Sequence, residues 1–579
     1  MGDEAGNQVS AKAEAQSTLA AEAQSTLEGH GVELAVEAAR AHGVQAMFTL
    51  SGGHVFPLYD GAVKAEPALP LIDVRHEQTA VFAAEGLAKL TRAPGLAVVT
   101  AGPGVTNGIS AITTAHFNGS AVLVIGGRAP DFRWGSGALQ EMDHPPLMKT
   151  ITKRSATVPG PGEMITAVDD ALRLATSPHR GPVFLDIAMD HLYSRAEVIR
   201  PSFAAAQPTV PDGDALDSVA RLLARAQRPV LVLGSDVWAG GGEQAARELA
   251  EELGLPVIAN GMGRGILPPA HPQLISRARS TAFNRADLVI VAGTPLDFRL
   301  GYGQFGGKGK DGDPAGSAPA AVIHLADDAS QLAGHVALAA AASGDLGLIL
   351  AGLRQRLASG GLLAGVAQWC GELRAAHQGA LAADHDVLTS DHDPIHPGRI
   401  YGELAAQLAD DAVVIGDGGD FVSFAGRFVE PARPGRWLDP GPFGCLGTGL
   451  GYAIAARLAH PTSQIVLLLG DGAAGFSLMD VDTLVRHRLP VVMVIGNNGM
   501  WGLEKFPMQF LYGYDVAAEL TPGTRYDEVV RALGGDGELV TKPGQLGPAL
   551  RRAFDSDGPY CVNVLTDPTV AYPRSTTGI

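Results

Sequence analysis

The chain has 579 residues, of which 46% are hydrophobic and 18% are charged, a balance typical of a large folded protein and not of a disordered one. Its formal net charge of −18 disfavours nucleic acid as a partner, because a phosphate backbone requires a basic surface. Three cysteines without a CxxC spacing argue against a disulfide framework or a zinc site and favour the cytoplasm, and the absence of an 18-residue apolar run predicts no membrane association.

Apolar runs alternate with Ala-rich helical stretches, which is the pattern of parallel strands joined by crossover helices. The pattern marks three segments at 28–195, 212–356 and 395–570, with a tail at 1–27, a linker at 357–394 and a second tail at 571–579. We therefore predict an α/β fold with three sequential doubly wound parallel-sheet domains. The predicted strands are Gln45–Leu50, Leu69–Val74, Leu96–Thr100, Ala121–Ile125, Pro182–Ile187, Pro229–Leu233, Pro256–Ala259, Leu288–Ala292, Ala321–Leu325, Ala412–Gly416, Gln464–Leu469, Val491–Gly496 and Tyr560–Leu565.

The first segment carries an acid directly after a predicted strand. Leu69–Val74 is followed by the tripeptide Arg-His-Glu, which ends at Glu77. A helix dipole alone favours Glu at such a position, so the residue does not by itself indicate chemistry. Further along, Gly102–Asn107 begins with a Gly-Pro-Gly turn, and Gln140 lies in the tripeptide Leu-Gln-Glu.

The second segment contains arginines that could form a basic pocket, namely Arg264, Arg277 and Arg299. An acidic protein needs such a pocket to bind an anionic nucleotide, and the guanidinium group suits phosphate geometry. Each of these arginines could equally be an ordinary surface residue.

The third segment has the most specific pattern, a Gly-Asp-Gly tripeptide and an Asn pair that each follow a predicted strand. Asp471 and Asn498 come from these motifs, which are separated by 24 residues. Ligands of open α/β sheets collect at the carboxyl ends of strands, and Mg²⁺ prefers a few oxygen ligands from the protein together with phosphate oxygens. The backbone carbonyl near Met500 could complete the set. A lone Gly-Asp-Gly would be no more than a turn.

This spacing resembles the signature of thiamine-diphosphate-dependent enzymes. The resemblance implies that Asp471, Asn498 and Met500 hold Mg²⁺, and that Glu77 bonds the aminopyrimidine ring of the cofactor and activates it. It also names the three segments as pyrimidine-binding, middle and diphosphate-binding domains. In this family the two halves of the site meet across a subunit interface, so a homodimer or homotetramer is expected.

The same resemblance extends to further residues of the first and third segments. Gln140 matches a family Gln that faces the reacting carbon, and Leu446 matches the apolar wedge that keeps the cofactor bent. A helix after the Asn pair would pass over the thiazolium ring. The cofactor-binding residues expected on these grounds are Glu77, Gly104, Asn107, Gly419, Asp420, Phe421, Leu446, Gly470, Asp471, Gly472, Ala473, Asn498, Met500, Trp501, Gly502 and Leu503.

Glu504 bears on which reaction this resemblance implies. An acid six residues after the metal-binding Asn could hold a proton in a dry site, although Glu504 could also simply pair with Lys505 on a solvated helix. The resemblance points to a 2-hydroxyacyl-CoA lyase that releases formyl-CoA and an aldehyde or ketone, with the ADP part of coenzyme A, rather than FAD, in the middle domain. Acetolactate synthesis and 2-oxoacid decarboxylation remain alternatives. A catalytically silent cofactor-binding protein is disfavoured because Glu77, Asp471 and Asn498 are all present.

Overall fold

The computed structural model describes residues 26–307, 318–358 and 365–572, so nearly all of the two predicted tails lies outside the described residues. The predicted α/β architecture is confirmed: three sheets follow one another along the chain, and every strand pair within them is parallel. None of the described helices combines the length and apolar character that crossing a bilayer requires.

The first domain contains a six-stranded sheet of order β3-β2-β4-β5-β7-β6 and a separate antiparallel pair, β1 with β8. Its strands are β1 Thr26–His30, β2 Met47–Thr49, β3 Leu71–Asp73, β4 Gly95–Val99, β5 Val122–Arg128, β6 Arg154–Thr157, β7 Val183–Ala188 and β8 Arg195–Ile199. Its helices are Gly31–Ala41, Phe56–Lys64, Glu77–Thr91, Pro103–Asn107, Ile109–Phe117, Pro145–Met148, Met164–Thr176 and Met189–Tyr193.

The middle domain contains a five-stranded sheet of order β10-β9-β11-β12-β13. Its strands are β9 Pro229–Leu233, β10 Val257–Ala259, β11 Leu288–Ala292, β12 Ala321–Ala326 and β13 Ala340–Ser343. Its helices are Gly213–Leu223, Ser235–Ala239, Glu243–Leu253, Arg279–Arg285 and Leu346–Leu357. The segment predicted as a linker holds helix Val366–Leu388, whose Trp369 is buried and donates its indole N–H to the carbonyl of Pro229 at 3.1 Å.

The third domain contains a six-stranded sheet of order β15-β14-β16-β17-β19-β18. Its strands are β14 Val413–Asp417, β15 Trp437–Leu438, β16 Ile465–Gly470, β17 Val492–Asn497, β18 Asp536–Val540 and β19 Tyr560–Leu565. Its helices are Pro397–Ala405, Asp420–Phe428, Thr448–Ala459, Asp471–Ser477, Val481–Arg486, Gly502–Tyr512, Tyr526–Ala532 and Pro543–Phe554.

The central strands are buried on both faces, which explains their continuous apolar sequences. In β16, Leu467 and Leu469 join the core that faces the first domain, whereas Val466 and Leu468 join a second core on the opposite side of the sheet. The register pairs Gly470 of β16 with Gly496 of β17. The carboxyl ends of these strands therefore meet at one edge of the sheet, and the residues that follow them lie together.

The first and third domains share one hydrophobic core. Helix Glu77–Thr91 packs along helix Thr448–Ala459, and buried side chains from both contribute to the same cluster. At the closest approach, a Cβ on Gly451 would lie 2.6 Å from Cβ of Phe82, so only glycine permits this helix spacing. The relative position of the two domains within one chain is thus fixed by close packing.

Candidate active site

A cavity of about 460 Å³ opens at the carboxyl ends of β14, β16 and β17. The segments that line it include the glycine-rich turn after β14, the start of the helix after β16, and the stretch that follows β17. The structure brings together here the following predicted residues: Gly419, Asp420, Phe421, Leu446, Gly470, Asp471, Gly472, Ala473, Asn498, Met500, Trp501, Gly502, Leu503 and Glu504.

Asp471 is the charged centre of this edge and is only 4% exposed. Its Oδ1 accepts from the backbone N–H of Gly472 at 2.9 Å and its Oδ2 from that of Gly499 at 2.7 Å. Burial raises the pKa of Asp471 to about 6, because these backbone donors only partly replace water. A divalent cation beside the carboxylate would offset that desolvation, so the environment fits a metal ligand.

Asn498 supplies the second oxygen of the predicted metal site. Its Oδ1 accepts from the backbone N–H of Met500 at 3.2 Å, so the amide is held close to that residue's main chain. A carboxylate, an amide oxygen and a backbone carbonyl are hard oxygen donors that suit Mg²⁺ with its remaining positions left to water and phosphate.

The cavity wall depends on close approach between backbone segments. A Cβ on Gly472 would lie 2.5 Å from the ring of Trp501, and one on Gly502 would lie 2.5 Å from the carboxylate of Asp420. The ring of Trp501 can therefore lie directly over the start of helix Asp471–Ser477. These glycines form a backbone cradle of the kind that lets N–H groups face a diphosphate.

Asp417, at the end of β14, supports the site through backbone contacts that the sequence analysis did not predict. It is fully buried, and its two oxygens accept from the backbone N–H groups of Gly447 at 3.1 Å and Gly449 at 2.8 Å. Burial raises the pKa of Asp417 to about 7. The carboxyl fixes the glycine-rich segment on which Leu446 reaches the cavity; its only local signal was its place at the carboxyl end of a strand.

Glu77, Asn107, Gly104 and Gln140 do not line this cavity in the same chain. Glu77 is 7% exposed and begins helix Glu77–Thr91, and the amide of Asn107 donates to its Oε2 at 3.0 Å. The predicted site residues of the first domain therefore lie outside the cavity that contains Asp471 and Asn498. One chain contains the two predicted half-sites but does not join them.

A buried chain of hydrogen bonds holds the turn that carries Gly104, and the sequence analysis did not predict this chain. The backbone N–H of Gly102 donates to Nε2 of His144 at 2.9 Å, so the ring proton is on Nδ1 and is donated to Asp186 at 3.0 Å. Arg128 donates to the other oxygen of Asp186 at 2.9 Å. Gln140 packs against the same turn, with its Cβ 3.1 Å from where a Cβ on Gly102 would lie.

The predicted arginines divide into two groups. Arg264 and Arg299 line the middle-domain end of the cavity, where Arg264 pairs with Glu430 at 3.3 Å and Arg299 with Asp297 at 2.7 Å. Arg277 lies outside the cavity wall, and its guanidinium binds Asp384. Only the first two are therefore in a position to meet a ligand that extends from Asp471 toward the middle domain.

Arg279 adds a further cation to this region. Burial, reinforced by the charges of Arg264 and Arg299, lowers the pKa of Arg279 to about 10. Its guanidinium donates to the carbonyl of Arg299 at 2.5 Å. The three arginines form one charged cluster together with the carboxylates of Glu430 and Asp297.

A smaller cavity of about 50 Å³ lies at the carboxyl ends of the middle-domain strands β9, β11 and β12. Its wall includes Asp236, Thr294 and Arg299, together with His179 from the first domain. His179 contacts Asp327 at 2.9 Å, and burial raises the pKa of Asp236. This is the edge at which open α/β sheets bind nucleotides.

Glu504 lies on the wall of the larger cavity, on the first turn of helix Gly502–Tyr512, and is exposed. The ammonium of Lys505 binds Glu519 instead of its neighbour. Glu504 therefore shares the wall of one cavity with Asp471 and Asn498, and its carboxyl group is not neutralised by Lys505.

Comparisons with known proteins agree with this geometry. Three domains described for thiamine pyrophosphate enzymes match the chain: the N-terminal TPP binding domain at residues 29–147, the central domain at 216–353 and the C-terminal TPP binding domain at 417–564. The matched ranges contain Glu77, the middle-domain arginines and the pair Asp471 and Asn498, respectively.

Relatives of two different names align over nearly the whole chain. The chain is 50% identical to a probable acetolactate synthase of Mycobacterium bovis and to the acetolactate synthase large subunit IlvG of Mycobacterium tuberculosis, in each case over 94% of this chain and 97% of the relative. It is 34% identical to 2-hydroxyacyl-CoA lyase 2 of Mus musculus, over 89% of this chain and 85% of the relative.

Proposed function

Because the chain belongs to the thiamine pyrophosphate enzyme family, we propose that it binds thiamine diphosphate through Mg²⁺ and cleaves or forms a carbon–carbon bond next to the carbonyl of a 2-hydroxyacyl-CoA. The products of cleavage would be formyl-CoA and an aldehyde or ketone. The observation that carries this proposal is the placement of Glu504 and two arginines, Arg264 and Arg299, on the wall of the same cavity as Asp471 and Asn498.

The diphosphate end of the site is assigned to the third domain. Asp471, Asn498 and the carbonyl of Met500 would hold Mg²⁺, and the backbone of 418–421 and 470–473 would face the phosphate oxygens. Leu446, placed by the segment that Asp417 fixes, would support the cofactor from below. When bound, thiamine diphosphate supplies an electron sink at its thiazolium ring.

Glu77 is assigned to the other end of the cofactor. Its carboxyl would hold a proton at the aminopyrimidine ring, and Asn107 orients that carboxyl through its 3.0 Å hydrogen bond. Since neither residue lines the cavity of its own chain, a second copy would have to provide them. The proposed functional unit is therefore a homodimer, or a homotetramer built from two such dimers.

Glu504 would act on the substrate and not on the cofactor. In the cleavage direction its carboxylate would take the proton of the 2-hydroxyl, which lets that carbon become a carbonyl as the adjacent bond breaks. In the synthetic direction it would return the proton. Arg264 and Arg299 would meet the anionic part of coenzyme A at the opposite end of the cavity.

Acetolactate formation from two 2-oxoacids is the second candidate. The observation that favours it is the 50% identity to proteins named acetolactate synthase, over 94% of this chain. Both candidates use the same diphosphate and pyrimidine residues, so the choice rests on the middle-domain end of the cavity and on Glu504.

Two parallel assays on the protein reconstituted with thiamine diphosphate and Mg²⁺ test this choice. The proposal expects formyl-CoA to be released from a 2-hydroxyacyl-CoA, with an absorbance spectrum free of flavin. A matched Glu77→Gln variant should lose that activity. Acetolactate formation from pyruvate by a flavin-containing protein, without thioester cleavage, would replace the first candidate by the second.

A further inference from the structure

A segment of the third domain contacts the backbone on both sides of Glu77. Helix Asp471–Ser477 continues through the turn Leu478–Asp480 into helix Val481–Arg486. We call residues 471–487 the strut, because its first residue lies in the diphosphate cavity and its later part contacts residues 73–79 of the first domain. The two ends of the strut thus lie at the two halves of the proposed cofactor site.

Asp480 makes the central contact. It is 1% exposed, and its Oδ1 accepts from the backbone N–H of Arg75 at 2.7 Å while its Oδ2 accepts from the hydroxyl of Thr79 at 2.7 Å. Thr483 donates to the same carboxylate at 2.9 Å. Arg75 lies two residues before Glu77 and Thr79 two residues after it, so one carboxylate holds both flanks of the acid.

Further polar contacts surround this carboxylate. Arg486 binds Asp73 at 2.7 Å, and His487 contacts the same side chain at 2.9 Å. Asp482 pairs with Arg75 at 3.2 Å. The strut therefore holds the end of β3 and the first turn of helix Glu77–Thr91 as one unit, which is more than a single surface ion pair would achieve.

We propose that Asp480 is a positioning residue for Glu77, acting through Arg75 and Thr79, and that the strut couples the diphosphate half-site to the pyrimidine half-site of the same chain. This inference rests on the cofactor chemistry of the proposed function but not on the choice of substrate. In the proposed dimer the strut would link one cofactor's diphosphate to the acid that activates the other cofactor.

The position of Glu77 matters because an acid contributes to proton transfer only within hydrogen-bonding reach of its partner. A small shift of the helix start would move the carboxyl away from the aminopyrimidine ring while leaving the magnesium site intact. The role of Asp480 should therefore appear in the activation of the bound cofactor more strongly than in the folding of the protein.

The rate at which bound thiamine diphosphate exchanges its thiazolium C2 proton for deuterium, measured by NMR after acid quench, tests this inference without any substrate. At saturating cofactor and Mg²⁺, Thr79→Val and Asp480→Asn should each slow the exchange by about 10-fold or more, the effect expected from losing a hydrogen bond to a charged group. Thr79→Ser, which keeps the hydroxyl, should return the rate to within about twofold of the wild-type rate.

Thr113→Val is the matched control. The hydroxyl of Thr113 donates to the carbonyl of Ile109 at 2.8 Å within its own helix of the first domain, so this variant removes a similar bond without touching the strut. If Thr79→Val and Thr113→Val both exchange the C2 proton within twofold of the wild-type rate and lose similar thermal stability, the role of Asp480 is structural only. A wild-type protein that binds the cofactor without accelerating its exchange would instead refute the proposed function, and this inference with it.

Discussion

Replacing the fully buried Asp417 by Asn should stabilise the protein at pH 8 and not at pH 4. A carboxyl whose pKa rises from 3.8 to about 7 is penalised by about 4 kcal/mol when it ionises in the folded state, at about 1.4 kcal/mol per pH unit. Asn removes that penalty and nearly preserves the shape. Its amide offers one acceptor oxygen instead of two, so one of the bonds from Gly447 and Gly449 is lost, at a cost of about 1–2 kcal/mol.

The net gain is therefore about 2–3 kcal/mol above pH 7. Its sign follows from the raised folded-state pKa: the contribution of the protonated carboxyl is full below the unfolded pKa of 3.8 and is lost as the pH rises through about 7. Differential scanning of the cofactor-free protein at pH 4, 6 and 8 would measure this. The thermal midpoint of Asp417→Asn should fall at or below that of wild type at pH 4 and exceed it at pH 8.

Asp417→Ala would serve as the control, because it removes the same carboxyl but leaves both backbone N–H groups without an acceptor, so it should be less stable than Asp417→Asn at every pH. A constant difference between Asp417→Asn and wild type across this range would mean that the carboxyl does not titrate there, and the reasoning from burial would be wrong.

Three further predictions concern the cavity. Glu504→Gln should lower kcat/KM for 2-hydroxyacyl-CoA cleavage by about 100-fold and leave the affinity for the cofactor, measured by calorimetry, unchanged. An equal loss of activity and of cofactor affinity would contradict the role of Glu504 in proton transfer. Gly472→Ala places a methyl group 2.5 Å from the ring of Trp501 and should weaken cofactor binding by about 10-fold, which fluorescence titration would measure. Arg264→Ala should raise the KM of the thioester substrate by about 10-fold, whereas Arg277→Ala should not, because Arg277 lies outside the cavity wall. Equal effects of the two substitutions on KM would contradict the proposal that Arg264 binds the substrate.

The central strands were predictable because burial on both faces leaves a continuous apolar sequence. The strands of the three sheets that the sequence analysis did not predict, β6, β13, β15 and β18, all lie at sheet edges. Edge strands are short or polar, as in Arg154–Thr157 and Asp536–Val540, and their sequences resemble those of loops. Pairing with a neighbour, and not local sequence, makes them strands.

The grouping of the residues proposed to hold the diphosphate was predictable for a related reason. Residues that follow parallel strands meet at one edge, so Asp471 and Asn498 could be placed together from their positions alone. Contacts between distant parts of the chain leave no such pattern. His144 and Asp186 are 42 residues apart, and Thr79 and Asp480 are 401 apart. Likewise, nothing around Arg277 in the sequence indicates that Asp384 binds it.

The arrangement of one chain supports the proposal that a second copy completes the site. Glu77 lies on a helix whose buried face is packed into the core shared with helix Thr448–Ala459, and the strut adds ion pairs across the same boundary. Rotating the first domain to bring Glu77 to Asp471 within one chain would expose this core, at about 25 cal/mol for each Å² of apolar surface. Phe476 and Met479 are 50% and 54% exposed on the strut itself, next to the cavity end of that segment. An apolar surface at this place is what a second subunit would cover as it brought its own Glu77 to the cofactor, and association is then the less costly route to a complete site.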